Sequence, residues 1–372
     1  MSGHTCLLAR DCIDGICDAT HHCAVATCTD GVQNGTETGL DCGGPCPVCP
    51  AVLVLAGAPS SVMAAASDLA GAWTTTTLTG GTPYVPTLTT TAIGIAIGAF
   101  TATDGTVSAT IRSGTSWSAP TMVATGAREH PSIDATESIV AHLTFQDTTY
   151  HYVYARYVAG LWSSPAAIGS YGPSPAAIVA RAANATLAFV NGEGAMVNYL
   201  ASRDLTTSAW GARVDIQAAS FGASASPAIV ALSTGPELLV TFVRPDTSIA
   251  FTTRTGGVWS TPAAIANCFT GDRLALAHLP SGAILAFRGQ DGNLYWTVYT
   301  AGAWSAVAPL ATPNVAIDSA PAVTHGIGAH TAEIAYVSGS TVYASSLTAG
   351  TWSTPTMVAS GQPYQVAITS IP

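Results

Sequence analysis

Short apolar runs, separated by polar turns, recur along most of the chain. In one stretch an apolar run at 237–242 is followed by a polar turn at 243–247 and a second run at 248–253. β-Branched and aromatic residues are frequent in these runs, and turn residues return about every 8–12 positions. No run keeps a helical period long enough to compete with this pattern. The hydrophobic pattern therefore predicts an all-β chain built from many short strands.

Tryptophan marks a longer period within this pattern. Seven of the eight Trp residues recur at intervals of 44–49 residues, and four of them open a Trp-Ser-x-Pro sequence. The seven are Trp73, Trp117, Trp162, Trp210, Trp259, Trp304 and Trp352. The 322 residues from 51 to 372 give 46 residues for each of seven units. A unit of this length with four short strands is typical of a β-propeller blade.

Two architectures are open to such a repeat. A stacked solenoid would leave edge strands that need polar caps, and neither end of the array looks capped. A closed ring explains both ends, because the first unit lacks an innermost strand and the last unit has an extra apolar run at 365–371. We therefore predict a seven-bladed β-propeller of four-stranded blades, in which 365–371 supplies the inner strand of the blade that holds 51–78.

Cysteines divide the chain into two parts. Eight of the nine lie within the first 50 residues, and Cys268 lies alone. The eight are Cys6, Cys12, Cys17, Cys23, Cys28, Cys42, Cys46 and Cys49. Such a set predicts four disulfides formed in an oxidising compartment, although the C-x-x-C pair at 46–49 leaves zinc as an alternative. We expect a secreted, mature form with a disulfide-rich N-terminal module (1–50) and a propeller (51–372).

The run at 30–49 resembles a cysteine motif that is common in extracellular proteins of myxobacteria. The resemblance implies a bacterial source and export. Four oxygen-bearing side chains in this run could surround calcium. They are Asp30, Asn34, Glu37 and Asp41. Short polar side chains also suit tight turns between disulfides, which is the interpretation we favour, so we expect no metal here.

Composition excludes several classes of partner. Charged residues make up only 9% of the chain, and the formal net charge is -10. Nucleic acids and anionic membranes attract basic surfaces, so neither is an expected partner. No apolar window is long enough to insert into a membrane.

The sixth unit reads AFRGQDGNLYW at 286–296. This run resembles the repeat of bacterial seven-bladed propeller lectins of the Photorhabdus fucose-binding type and, more loosely, the tectonins. The match is good for one blade and partial elsewhere; the fifth unit keeps the arginine as Arg244. The resemblance implies a seven-bladed fold and carbohydrate binding, with repeated blades offering several sites. It leaves the sugar open.

Candidate ligand residues follow from how proteins recognise sugars. An aromatic ring packs on the C–H face, and polar side chains fix the hydroxyl groups. The candidates are Arg288, Asp291, Trp296 and Trp304 of the sixth unit and Arg244 and Trp259 of the fifth. The alternative for the repeated Trp residues is packing between blades. Trp296 breaks the sevenfold pattern, which makes it the better candidate for a ring that faces a ligand.

Catalytic patterns are absent from the sequence. The nine His residues show no His-x-x-x-His or H-E-x-x-H spacing, and no G-x-S-x-G motif occurs. The cluster at 128–130 falls in a loop, where solvated surface is the ordinary interpretation. We expect a non-enzymatic protein without a cofactor. Our function hypothesis is an extracellular lectin-like protein that binds glycans or glycoconjugates on a cell surface, with the N-terminal module available to a protein partner. The alternative is a scaffold or adhesion module that binds a protein.

Overall fold

A computed structural model of the chain describes most of the propeller and part of the N-terminal module. The described residues are 4–6, 8, 11–13, 16–18, 20–25, 27, 49, 51–67, 72–80, 83–91, 93–128, 130–135, 140–181, 184–191, 199–206, 209–216, 227–311 and 314–371. Their strands form seven antiparallel sheets. The prediction of a seven-bladed, all-β propeller is confirmed. Within these residues no helix has the length and apolar character needed to cross a membrane.

Each sheet is one blade, and its strands follow one another from the axis outward. Blade 1 contains Gln365–Ile371, Ala51–Ala58, Ser61–Ser67 and Trp73–Gly80. Blade 2 contains Pro83–Thr90, Ala96–Ala102, Val107–Ser113, and an outer strand in two pieces, Ser116–Trp117 and Thr121–Ala124. Blade 3 contains Ser132–Ala135, Val140–Gln146, His151–Val158, Leu161–Trp162 and Ala166–Tyr171. Blade 4 contains Ala177–Arg181, Asn184–Asn191, Tyr199–Thr206, Ala209–Trp210 and Val214–Asp215.

The remaining three blades repeat this plan. Blade 5 contains Ala228–Ala231, Leu238–Val243, Ser248–Thr255, Val258–Trp259 and Ala263–Phe269. Blade 6 contains Ala275–Leu279, Gly282–Arg288, Leu294–Thr300, Ala303–Trp304 and Ala308–Pro309. Blade 7 contains Ala322–His325, Ala332–Ser338, Thr341–Thr348, Thr351–Trp352 and Thr356–Ser360. The first strand of every blade contacts the first strands of both neighbours, so the blades close into a ring and the solenoid alternative is wrong.

The ring closes between the two ends of the repeat array. Gln365–Ile371 pairs antiparallel with Ala51–Ala58 over seven residue pairs, from Gly57 opposite Gln365 to Ala51 opposite Ile371. The strand occupies the first position of blade 1, and all of its residues after Gln365 are buried. The last strand of the chain therefore covers an edge that blade 1 would otherwise expose.

The Trp-Ser sequence breaks the outer strand at a fixed place. In blades 2, 3, 5, 6 and 7 the serine after the Trp accepts a backbone N–H from the third strand at 3.0 Å. The serine hydroxyl thus fills the place of a carbonyl where the two outer pieces separate. Blade 4 has Gly211 instead, and only its backbone N–H reaches the third strand, at Asp204 O. The motif is a structural device of the blade.

Nearly every residue of the second strands is buried. An aromatic residue occupies the same position in six of them and is at most 4% exposed. These residues are Phe100, Phe145, Phe189, Phe242, Phe287 and Tyr336. Large rings fill the space between twisted sheets that diverge from the axis.

The N-terminal module has two described disulfides, Cys6–Cys17 and Cys12–Cys23. Cys49 is also disulfide-bonded, so the zinc alternative for its C-x-x-C pair is wrong. The sulfur atoms of Cys6, Cys12 and Cys23 cluster because of these disulfides. The other predicted disulfide residues and the calcium candidates lie outside the described residues: Cys28, Cys42, Cys46, Asp30, Asn34, Glu37 and Asp41.

Candidate functional site

The repeated Trp residues pack between blades. Trp304 lies edge-to-face on Phe251 of blade 5, with ring centroids 5.8 Å apart, and Trp210 lies edge-to-face on Tyr154 of blade 3 at 5.3 Å. Trp259 donates from Nε1 to a serine of blade 4 at 3.1 Å. All seven are partly buried and none is exposed. These three rings therefore pack their blades against the third strand of the preceding blade.

A groove of about 490 Å³ opens beside one of these rings, between blades 5 and 6. Its walls are Phe251 from the third strand of blade 5 and Trp304 from the outer strand of blade 6. Aliphatic residues and two polar ones complete the lining, among them Ala264, Ala266, Asn267 and Ser305. The groove thus combines two partly exposed aromatic rings with an amide and a hydroxyl.

An enlarged bulge in blade 5 produces this groove. Ala250 pairs with Ala264 and Ser248 pairs with Phe269, so the four residues 265–268 stand opposite Ile249 alone. Asn267 lies in this bulge with φ of 59°, a left-handed conformation that asparagine tolerates better than most residues. The equivalent bulges of blades 2 and 7 contain one residue, and that of blade 3 contains the three residues 168–170. Within this bulge Asn267 is exposed and lines the groove.

Cys268 packs the bulge onto the hydrophobic core. Its side chain is fully buried with Ile265, Leu285 and Phe287. Burial raises the pKa of its thiol to about 12. The thiol is free, protonated near neutral pH and inaccessible, so it serves packing.

The structure separates the sequence-predicted ligand residues of blade 6. Arg288 pairs with Leu294 at one end of the third strand, and Trp304 pairs with Tyr299 at the other. Five residues of extended strand span roughly 16 Å. Arg288 and Asp291 therefore lie at the opposite end of the third strand from Trp304.

Blade 5 shows the same separation. Arg244 follows the second strand, at the turn that leads into the third, whereas Trp259 pairs with Arg254 near the far end of the third strand. Arg244 forms an ion pair with Asp246 at 3.3 Å within this turn. Trp304 is thus the predicted residue that the groove includes, and the sequence missed Phe251 and Asn267. The polar Asn267 within an apolar outer strand was the available signal.

Asp291 shapes a turn that several blades repeat. Its carboxylate accepts from the backbone N–H of Asn293 at 3.0 Å, from the Asn293 side chain at 2.7 Å and from the Tyr295 hydroxyl at 2.8 Å. The backbone bond from Asn293 is the main reason that the pKa of Asp291 lies below its ordinary value. Asp104, Asp147 and Asp246 accept the same backbone bond in blades 2, 3 and 5. This aspartate stabilises an Asx-turn.

Arg288 and Trp296 also make contacts within the protein. Arg288 donates from Nε to Ile317 O at 2.7 Å and from Nη1 to Asp272 at 3.2 Å, which joins two loops. Trp296 lies edge-to-face on Trp352 at 5.8 Å and donates from Nε1 to a backbone carbonyl of its own blade at 3.3 Å. Trp296 occupies the position in blade 6 that Phe251 occupies in blade 5.

The axis of the ring contains a larger channel of about 840 Å³, lined by the first strands of all seven blades. Of the loop cluster at 128–130, the structure describes Arg128 and His130. Arg128 lies over the Tyr150 ring, 4.0 Å from its centroid, and His130 lines the channel. Burial, assisted by the charge of Arg273, lowers the pKa of His130 to about 3. Glu129 lies outside the described residues.

Asp134 joins three blades along this channel. It accepts from the Thr89 hydroxyl of blade 2 at 3.2 Å, from the Ala180 backbone of blade 4 at 2.8 Å and from its own neighbour Ala135 at 2.9 Å. Burial outweighs these hydrogen bonds and raises the pKa of Asp134 to about 6. The folded protein therefore holds this proton more tightly than the unfolded chain.

This raised pKa gives a testable pH dependence. Because folding raises the pKa, the contribution of Asp134 to stability is full below about pH 4 and is lost as the pH rises through about 6. We expect the wild type to lose roughly 2–3 kcal/mol relative to Asp134→Asn across this interval. Urea unfolding of both proteins at several pH values measures the difference. Parallel pH profiles would contradict the assignment.

No protein-family model matches the chain, and no curated protein matches it. Several solved structures are similar to it. The BP39L lectin of Burkholderia pseudomallei is 16% identical, with a TM-score of 0.70, over 84% of this chain and 96% of that one. A variant of the Aleuria aurantia lectin in complex with Fucα1-6GlcNAc is 14% identical, with a TM-score of 0.53, over 75% and 96%. AztD of Citrobacter koseri is 11% identical, with a TM-score of 0.51, over 87% and 98%. At these identities the similarity is one of fold.

Proposed function

We propose that the propeller binds a neutral carbohydrate in the groove between blades 5 and 6. The observation that carries this proposal is the pairing of two partly exposed rings, Phe251 and Trp304, with the exposed amide of Asn267. Aromatic faces pack on the apolar C–H surface of a sugar, and amides hydrogen-bond its hydroxyl groups. A rigid propeller holds these groups in place before the ligand arrives, which lowers the entropic cost of binding.

The lining of the groove favours an uncharged sugar. The described residues that line it include no ionisable side chain. An anionic sugar would lose hydration there without gaining a counter-ion. The fold similarity supports the same class of ligand, because two of the similar structures are described as lectins and one of them holds a fucose-containing disaccharide.

We also infer that the protein works outside the reducing cytosol, on glycans or glycoconjugates of a cell surface. Cys6–Cys17 and Cys12–Cys23 support this inference, because disulfides persist mainly in oxidising compartments. Binding at several blades would raise the affinity for a surface that displays many glycans. The molar ratio in a titration measures how many blades bind.

A glycan array followed by calorimetric titration tests the proposal. We expect binding to uncharged glycans, and we expect Trp304→Leu to weaken it at least about 10-fold, equivalent to about 1.4 kcal/mol. Asn267→Gly should also weaken binding, because glycine keeps the left-handed backbone and removes only the amide. An array without a signal would remove the proposal.

Trp210→Leu is the matched control for Trp304→Leu. Trp210 has the same position in blade 4 and the same edge-to-face contact with the preceding blade. Both variants should lose similar stability, and only the Trp304 variant should lose affinity. Equal losses of affinity would show that the rings act through the fold and that the ligand binds elsewhere.

A further inference from the structure

Blade 2 buries a charged side chain that has no counter-ion in the described part of the chain. Arg112, near the end of the third strand, is only 6% exposed. No described residue hydrogen-bonds to its guanidinium or forms an ion pair with it, and its Nε atom is fully enclosed. Transfer of an unpaired charge from water into a protein interior is costly. The surroundings of Arg112 therefore decide whether an anion can reach it.

The side chain of Arg112 lies on the face of blade 2 that packs against blade 1. In the strand register Arg112 stands opposite Ala96 on one side and opposite Trp117 on the other. Residues that pair directly across antiparallel strands point to the same face of the sheet. Ala96 and Trp117 both pack into the cluster that contains Leu53 and Leu55 of blade 1. The guanidinium therefore lies at the interface of blades 1 and 2.

Blade 5 has an arginine at the same position, together with its counter-ions. Both Arg112 and Arg254 pair with the fourth residue before the buried aromatic residue of the second strand. Arg254 donates to both carboxylate oxygens of Asp204 in blade 4, at 2.8 and 2.6 Å, and lies 3.3 Å from Glu237. The hydrogen bond with Asp204 raises the pKa of Arg254, whereas burial lowers the pKa of Arg112. Blade 5 thus shows how a guanidinium at this position is neutralised.

The equivalent positions of blades 1 and 2 contain neither acidic partner. In the same register Ala66 of blade 1 replaces Asp204, and Ile95 of blade 2 replaces Glu237. Ala66 packs against the cluster between blades 1 and 2, so it faces the same interface as Arg112. Two apolar residues therefore stand where the arginine of blade 5 has its counter-ions.

We propose that the interface of blades 1 and 2 binds a carboxylate ligand, whose two oxygens pair with the Arg112 guanidinium as Asp204 pairs with Arg254. A carboxylate matches the two parallel N–H donors of a guanidinium. Of the guanidinium nitrogens of Arg112 only Nε is fully enclosed, so the two terminal nitrogens can receive an anion. The carboxylate belongs either to a free organic acid or to an acidic sugar. This site is separate from the groove between blades 5 and 6.

Titration of the full chain with acetate at constant ionic strength, followed by saturation-transfer NMR and by thermal melting, tests the site. We expect saturable binding and a rise in melting temperature, because only the folded chain presents the interface. Arg112→Leu should lower the affinity for acetate at least about 10-fold. Without acetate this variant should melt no lower than the wild type, because it removes an unpaired buried charge. Leucine occupies the position in blades 4 and 7, as Leu205 and Leu347, so the variant should fold.

The same titration with glucuronate distinguishes the two sources of the carboxylate. Binding that is tighter than that of acetate indicates an acidic sugar, and equal or weaker binding indicates a free organic acid. Both results require Arg112, so both should be lost in Arg112→Leu.

Ala66→Asp tests the geometry by supplying the carboxylate from the chain. We expect it to raise the melting temperature without acetate and to abolish the response to acetate, whereas Ala66→Asn, similar in size but uncharged, should not raise it. Asp68 follows the third strand of blade 1 and lies outside the described residues, and Asp68→Asn should leave acetate binding unchanged. Acetate binding that survives in Arg112→Leu, or that occurs only in Asp68→Asn, would overturn the proposal, as would an absence of saturable binding.

Discussion

Deletion of residues 363–372 should lower the melting temperature by more than about 10 °C, or leave the chain unable to fold at all. The deleted segment pairs along its length with the second strand of blade 1, and Val366, Ile368 and Ile371 pack into the clusters between blades. Several buried aliphatic side chains contribute about 1.5–3 kcal/mol each. The deletion would also open the ring and expose a sheet edge. Circular dichroism and calorimetry record the melt.

A point substitution keeps this prediction testable if the shortened chain does not fold. Ile371 is fully buried, so Ile371→Ala should cost about 2–5 kcal/mol. Met357→Ala, in the outer strand of blade 7, is the matched control, because Met357 is 64% exposed and should change stability by less than about 0.5 kcal/mol. If the shortened chain melted at the same temperature as the full-length chain, the last strand would not be what holds the ring closed.

The fold could be predicted because each blade repeats its local rules. The spacing of the Trp residues gave the number of blades. The strand missing from the first unit and the extra strand of the last unit indicated a closed ring. The Trp-Ser sequence could also be recognised from the sequence, but its structural role could not. The structure shows that the hydroxyl of Ser305 or Ser353 replaces a backbone acceptor where the outer strand divides. Because the same strand and turn pattern occurs in seven units, one unit with a degenerate pattern does not prevent recognition of the repeat.

The candidate site could be predicted only in part, because sites depend on departures from the repeat. The sequence predicts Trp304, but nearness in sequence groups Arg288 and Asp291 with it, and an extended strand carries them to the other end of the blade. Asn267 was missed because its exposure comes from an enlarged bulge.

A network of ion pairs joins blades 4 and 5, in a chain where only 9% of the residues are charged. Arg254 donates to both carboxylate oxygens of Asp204 across the blade interface, at 2.8 and 2.6 Å, and lies 3.3 Å from Glu237 in its own blade. Its side chain is only 13% exposed. Burial alone would raise the pKa of Asp204, but hydrogen bonds from Arg254 and Thr186 outweigh it and hold that pKa below its ordinary value.

Arg254→Ala should therefore destabilise the propeller by about 2–3 kcal/mol near neutral pH, because it leaves a half-buried carboxylate without its counter-ion. A depressed pKa stabilises the fold above the unfolded value near 4 and loses that effect as the pH falls, so the cost of the substitution should shrink toward about pH 3. Urea unfolding at both pH values measures the cost of the substitution.

Arg181→Ala is the matched control: Arg181 pairs with Glu237 at 3.0 Å but is 37% exposed, and its loss should cost less than about 1 kcal/mol. Equal costs for the two variants, or a cost for Arg254 that ignores pH, would show that the buried pair with Asp204 does not join the blades.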